Sequence, residues 1–306
     1  MNRRFFTALF LVLFTLCFNN ALDAFEIELT GGVNNMTFHP DRTDIFQSEN
    51  PEIGQFSAYP FGDFILRGDI ASFWGFNIHV SRDNILWNSL YTKLTLDTDY
   101  FNVNFGPFIG MTDDWIKGNT ESPVFGLTGG IQIALPGVIF LSFDGSLALG
   151  SQFDFLSANT REAAEVRLGF WLPNMIPSVS ASLKRYEQSL INDELIRFQA
   201  SLEFFGKNSP LILRFEAANE ILKRTYSGSE LAEELNVLLA GFEMKLQVSR
   251  PLRMIAGFEM PVYIRESTVE PDNIYNLYRF HGGLTYTFFP RRSRPILDTY
   301  VKHKKE

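Results

Sequence analysis

The chain has 306 residues, 45% of them hydrophobic and 31 of them Phe, and a formal net charge of -8. Beyond residue 24 no apolar run approaches the roughly 18 residues that a membrane helix needs, so a membrane-spanning body would have to be built from strands. The charge carries no overall nucleic-acid signature, and the single Cys, Cys17, lies in the N-terminal leader, which leaves the rest of the chain without disulfide, thiolate or Cys-metal chemistry.

Residues 1–24 carry Arg3 and Arg4, an apolar core from Phe5 to Phe18 and small residues at Ala21 and Ala24. That order is the order of a secretory signal peptide, with cleavage expected after Ala24. An uncleaved anchor is the alternative; lipid attachment at Cys17 is another, opposed by the bulk of Leu16 before it.

From Phe25 the chain alternates with a period of two, Ile27, Leu29 and Val33 against Glu26, Glu28 and Thr30, as a strand with one apolar face does. Residues 39–59 are polar, contain Pro40 and Pro51, and read as the longest loop. Strands are expected over 61–70 and 74–80, with a turn at 71–73, then over 87–98 and 101–112. Residues 125–149 form the clearest hairpin: Leu127, Ile131, Ile133 and Leu135 alternate with Thr128, Gln132 and Ala134. A two-residue turn at Pro136 and Gly137 returns the chain through Leu141 and Phe143 against Ser142 and Asp144.

Further strands are expected over 163–171, 179–186, 194–205, 211–217, 235–248, 254–262 and 277–289. Residues 173–177 read as a turn and 223–234 as a polar connection, with 230–239 alternatively a short helix. Residues 265–276 read as a polar loop. Short connections fall near 71, 99, 136, 175, 208 and 250, and mostly longer ones at the other end, as in outer-membrane barrels. The predicted fold is all-β: a single closed antiparallel transmembrane barrel of 14 strands over residues 25–289, with 12 strands as the alternative. Residues 290–306 form a basic tail on the periplasmic side.

Charges on these strands keep one phase. Arg67, Asp69, Lys93, Asp97, Asp144, Glu165, Arg167, Lys184, Arg197, Glu203, Arg214, Glu216, Glu243, Lys245 and Glu259 all lie opposite the apolar series of their strands. An Arg or Lys facing lipid costs about 2 to 4 kcal/mol at the midplane, whereas a wet lumen accepts it. These residues are therefore the candidate lumen lining, although a soluble sheet with one solvated face gives the same phase. Aromatic side chains collect near the short turns (Trp74, Tyr100, Phe101, Trp171, Phe205, Phe288) and near the opposite rim (Phe125, Tyr186, Tyr226, Tyr263), as two interfacial belts would.

The last strand, through Gly283, Tyr286 and Phe288, resembles the aromatic-terminated assembly signal of bacterial outer-membrane proteins, with the departure that the chain continues through a basic tail. The whole arrangement resembles small monomeric porin-type outer-membrane barrels, and its leader and barrel are similar in style to uncharacterised spirochaete outer-membrane proteins. The resemblance implies a bacterial outer-membrane location, contact with outer-membrane lipid and the barrel-assembly machinery, a monomer, and diffusion of small polar solutes. No nucleic-acid partner and no cofactor are expected. A passive or weakly selective channel is the leading functional expectation; a non-conducting scaffold, or an adhesion barrel using its outside loops, is the alternative. No metal-ligand spacing, phosphate-binding loop or dinucleotide fingerprint occurs, His79 and His281 lack a nearby nucleophile pattern, and no enzymatic activity is expected.

Overall fold

The computed structural model describes residues 24–38, 56–70, 73–82, 87–98, 100–112, 124–148, 160–187, 191–206, 209–226, 230–268 and 277–288. The expected signal peptide with Cys17, most of the long loop after β1 and the basic tail lie outside the described residues.

Fourteen strands follow one another: β1 (Ala24–Phe38), β2 (Phe56–Asp69), β3 (Trp74–Arg82), β4 (Trp87–Asp97), β5 (Phe101–Thr112), β6 (Val124–Leu135) and β7 (Ile139–Ala148), then β8 (Thr160–Phe170), β9 (Met175–Glu187), β10 (Ile191–Phe205), β11 (Leu211–Tyr226), β12 (Ala232–Gln247), β13 (Leu252–Ser267) and β14 (Arg279–Thr287). Each pairs antiparallel with its sequence neighbours, and β1 pairs with β14, so the sheet closes into a 14-stranded barrel. Closure leaves no free strand edge.

Several connections differ from the sequence expectation, and in most of them the strands are longer. Residues 56–59 belong to β2, where Ser57 pairs with Thr37 and Tyr59 with Asn34. The expected turn at 173–177 is shorter, since Met175 to Pro177 pair with β10. Residues 223–226 and 232–234 are strand, not a polar loop or a helix: Lys223 faces Glu234 and Arg224 faces Glu233. Residues 265–267 likewise continue β13. The hairpin turn has three residues, 136–138, with Leu135 facing Ile139 and Val138 donating to the Leu135 carbonyl at 3.0 Å. Gly137 sits there at φ +76°, a left-handed conformation that favours glycine.

All fourteen strands turn one apolar parity outward. Leu29 on β1, Leu127 on β6, Val179 on β9, Phe198 on β10 and Phe280 on β14 are each more than half exposed, and Phe64, Val80, Leu94, Phe105, Leu141, Val166, Phe215, Leu238 and Phe258 extend the surface around the other nine strands. Water-soluble monomers rarely show contiguous apolar patches beyond a few hundred Å². The surface is that of a transmembrane barrel. On β10 it runs from Ile196 to Phe204, roughly 26 Å along the strand at about 3.3 Å per residue. Above it, at the end of the barrel opposite the short turns, outward positions become charged: Arg185 pairs with Glu194 at 2.8 Å and Lys223 with Glu234 at 3.7 Å.

The closure seam depends on glycine. A Cβ on Gly32 would lie 1.9 Å from the Phe280 carbonyl oxygen, and one on Gly283 would lie 2.4 Å from that of Leu29. These contacts are with backbone, so a side chain there would push β1 and β14 apart. At the turn end of the seam, Phe288 stacks on Phe25 with centroids 4.3 Å apart and meets Tyr286 at 4.6 Å. Gly283, Tyr286 and Phe288, the residues of the expected assembly signal, thus close the cylinder.

The two aromatic belts are only partly present. Trp74, Tyr100, Phe101 and Phe288 face outward at the turn end, as do Phe125 and Tyr263 near the other rim. Trp171, Tyr186 and Tyr226 are buried and lie on the inward parity, so they belong to the interior and not to a belt. Phe205 packs against the buried cluster of Ala134, Phe140, Trp171 and Ile176 at the turn end.

Candidate functional site

The interior of the barrel is the candidate site, and the inward parity builds it. Near the turn end, Arg67 reaches Glu26 at 2.8 Å and Glu28 at 3.3 Å on the adjacent strand. Asp97 accepts a hydrogen bond from Asn102 at 3.2 Å, and Asp69 is buried. On the wall from β8 to β14 the charges form an almost continuous series. Lys245 meets Glu243 at 3.1 Å and Glu203 at 4.0 Å, while His281 meets Glu243 at 3.2 Å. Arg214 pairs with Glu216 at 2.7 Å. Arg167 donates to Ser178 at 3.2 Å, and Ser178 and Ser201 share a hydrogen bond at 2.8 Å.

Higher in the bore lies a four-membered cluster. Arg279 donates to Glu220 at 2.9 Å and to Glu259 at 2.5 Å; Arg197 donates to Glu220 at 2.8 Å and also contacts Glu259. Each carboxylate is held by both guanidiniums, so two positive and two negative charges cancel within one buried unit. Charges taken out of water are tolerated only when paired and hydrogen-bonded in this way.

The end opposite the short turns is different again. Phe108 on β5, Tyr186 on β9, Leu222 on β11, and Leu235 and Val237 on β12 lie on the inward parity, and together with Met36 and Phe38, at and beyond the bulge of β1, they belong to one buried apolar cluster. Tyr186, Leu235 and Val237 have 0% exposure. A side chain facing an open, water-filled bore is wetted; these are not. The bore is filled at this level. Two cations bridge it. Arg161 on β8 contacts Ser89 and donates to Tyr91 at 2.6 Å on β4, and Arg224 on β11 lies 5.7 Å from the Phe38 ring centre on β1. Arg224 also binds buried Asp193 through two nitrogens, at 2.6 and 2.9 Å, a fork geometry that fixes its direction. Beside it, Tyr226 donates to Glu233.

Below this layer, between β2–β4 and β7–β9, is a cavity of about 460 Å³. Lys93, Asp144, Glu165 and Lys184 line it, joined by Asp63, which binds His79 at 2.7 Å.

The charged residues read from the sequence are thus divided. Arg197, Glu203, Arg214, Glu216, Glu243, Lys245 and Glu259 interlock on one wall, and Lys93, Asp144, Glu165 and Lys184 gather at the cavity. Arg67, Asp69, Asp97 and Arg167 sit separately in the lower lumen. Residues missing from the sequence reading include Asp63, Arg161, Asp193, Glu220, Arg224, Glu233 and Arg279. Arg279 lies on the same parity as Gly283 and Thr285, so extending that alternation would have found it. Arg161 precedes the strand expected over 163–171, whereas β8 begins at Thr160.

No family model matches the chain, and no curated protein matches it at a significant level. Among solved structures, Salmonella typhi OmpF in complex with daunomycin aligns over 87% of this chain and 97% of its own, at 8% identity and a TM-score of 0.43. An outer membrane channel from Pseudomonas putida F1 aligns over 87% and 96%, at 9% identity and a TM-score of 0.46. OmpT, an outer membrane protein of Vibrio cholerae, aligns over 87% and 99%, at 8% identity and a TM-score of 0.40. The barrel's closure, strand count and apolar outer face rest on its own hydrogen bonds and exposure.

Proposed function

We propose that the protein is a bacterial outer-membrane barrel, without a catalytic role, whose passage for small polar solutes is shut at rest at its outer end. The turns and the basic tail then face the periplasm, and the strand ends carrying the buried apolar cluster face outward. The observation that carries this reading is the complete burial of inward-facing Tyr186, Leu235 and Val237. Apolar constrictions stop ion flow by excluding water. The cavity and the lower lumen, lined by charged and hydroxyl side chains, support a passage below that closure.

A freely open pore does not fit, because the charges of the β10–β14 wall are joined to one another and not presented across water. A permanently closed scaffold is the second reading, favoured by the buried cluster of Arg197, Glu220, Glu259 and Arg279. Planar-bilayer recording separates the three. The protein should be silent at low voltage, and the triple variant Phe38→Ser, Leu235→Ser, Val237→Ser should conduct in discrete steps. Steady conductance of the unaltered protein would overturn the closure. A folded triple variant that never conducts would favour the scaffold.

A further inference from the structure

The interior charges are not all satisfied alike. On the β10–β14 wall Arg197 and Arg279 are joined to Glu220 and Glu259, with Glu216 beside Arg197, and Lys245 is joined to Glu243 and Glu203, with His281 on Glu243. In the cavity the situation is reversed. Among the described residues Lys93 has only the Tyr91 ring, 6.0 Å from its ammonium to the centroid, and the long-range field of Asp144. Among the described residues neither Asp144 nor Glu165 has a hydrogen bond or an ion pair to its side chain, Glu165 feeling only the longer-range charge of Arg167, and both line the same space as Lys93. Of the other charged groups on this lining, Asp63 is paired with His79 and Arg279 with Glu220 and Glu259, and Arg82, Arg161 and Lys184 have interactions of their own; the Lys93 ammonium and the Asp144 and Glu165 carboxylates share the cavity without collapsing into a pair.

That arrangement has a chemical consequence. Groups of opposite sign that stand apart across a partly enclosed, wetted space each lack a fixed counter-charge, and the molecule that supplies both must carry both charges. A simple anion would serve Lys93 and be repelled by Asp144 and Glu165; a simple cation would meet the opposite conflict. An uncharged solute would leave all three hydrated but without a counter-charge, since Asp144 and Glu165 are exposed to the bore and Lys93 is half-buried. The volume, about 460 Å³, lies within the range of small-molecule sites. Hydroxyls of Ser146 and Ser182 add neutral hydrogen-bonding groups to the wall.

We propose that this cavity is a binding site for a small zwitterionic solute, with the carboxylate of the solute at Lys93 and its ammonium at Asp144 and Glu165. The proposal deepens the passage reading by naming the class of solute, and it rests on that reading only for its biological use. Binding itself requires no opening of the outer end.

The test is isothermal titration of the folded protein in detergent with glycylglycine as probe, and with acetate, ethylammonium and glycerol as comparisons. Glycylglycine should bind at least tenfold more tightly than any of the three. Lys93→Met and Asp144→Asn should each weaken glycylglycine at least tenfold, while heat-dependent gel migration shows that both variants remain folded barrels. Absence of glycylglycine binding, equal binding of acetate or ethylammonium, or unchanged affinity in both folded variants would overturn the assignment. If a variant does not fold, Glu165→Gln, at an exposed position of the same cavity, provides the same comparison. Steady conductance of the unaltered protein would contradict the closed outer end and leave this binding result standing, so the two failures are distinguishable.

Discussion

Arg279 on β14 donates to Glu220 on β11 at 2.9 Å, although β12 and β13 separate their strands. The contact is a chord across the curved wall, and with Arg197 and Glu259 it ties together four of the last five strands. Side-chain exposure is 2% for Glu220 and 9% for Arg279, so the pair is sheltered from the water that weakens surface ion pairs.

Removing one member should therefore be costly. Glu220→Gln leaves Arg279 with Glu259 alone and Arg197 with Glu259 and the more distant Glu216 at 3.6 Å, and breaking a buried pair in this manner costs about 3 to 5 kcal/mol. The expected outcome is a lowered temperature of conversion from the compact to the extended gel form. Exposed Lys223→Gln, on the same strand but pointing outward, should shift that temperature much less. Equal shifts would contradict the account of the interior cluster.

Outward and inward neighbours at one depth should respond oppositely to charge. Phe198 is 54% exposed on the apolar face, and Arg197, beside it, is paired with Ser182 of the adjacent strand, which lines the cavity. Phe198→Lys should destabilise the folded barrel by about 2 to 4 kcal/mol in lipid. Ser182→Lys enters a polar space and should cost less. Reversible denaturation in lipid vesicles measures both; a smaller penalty at Phe198 than at Ser182 would contradict the assignment of faces.

The alternation that reveals the faces also explains what the sequence conceals. Along the lipid, polarity and parity agree, so Arg197, Glu203, Arg214, Glu216 and Lys245 are legible as inward from their spacing alone. Beyond the apolar band, β11 keeps its geometry but exchanges its chemistry: Lys223 points into water while Leu222 and Ala218 are buried inside. The same inversion turns Leu235 and Val237 inward on β12 beside outward Glu234. A reading that equates apolar with outward then sees a polar loop where the strands continue, and it misses both the closing layer and the Arg224 pair with Asp193. Cross-bore contacts such as Arg161 with Tyr91 depend on the packing of distant strands, and no local pattern encodes them.

Two adjacent glycines at the closure seam give a further contrast. A Cβ on Gly32 would strike the Phe280 backbone at 1.9 Å, whereas one on Gly31 would meet the Phe61 carbonyl oxygen at an ordinary 3.7 Å. Gly32→Ala should lose about 1 to 3 kcal/mol through overpacking, seen as a reduced yield of compact barrel after refolding. Gly31→Ala should refold like the unaltered protein. Matching yields from the two variants would contradict the close approach of β1 and β14.

The closed outer end can be probed directly, because Cys17 is the only cysteine and its replacement by Ser allows single thiols to be placed at will. In that background, Val237→Cys puts the thiol on the inward parity at a position of 0% exposure, and Lys223→Cys puts it outside on the neighbouring strand. With a charged, membrane-impermeant maleimide, the thiol at position 223 should react rapidly in the folded barrel, and the thiol at 237 should react only after heating unfolds it. Reaction of both at the same rate in the folded state would show a wetted bore and contradict the closure.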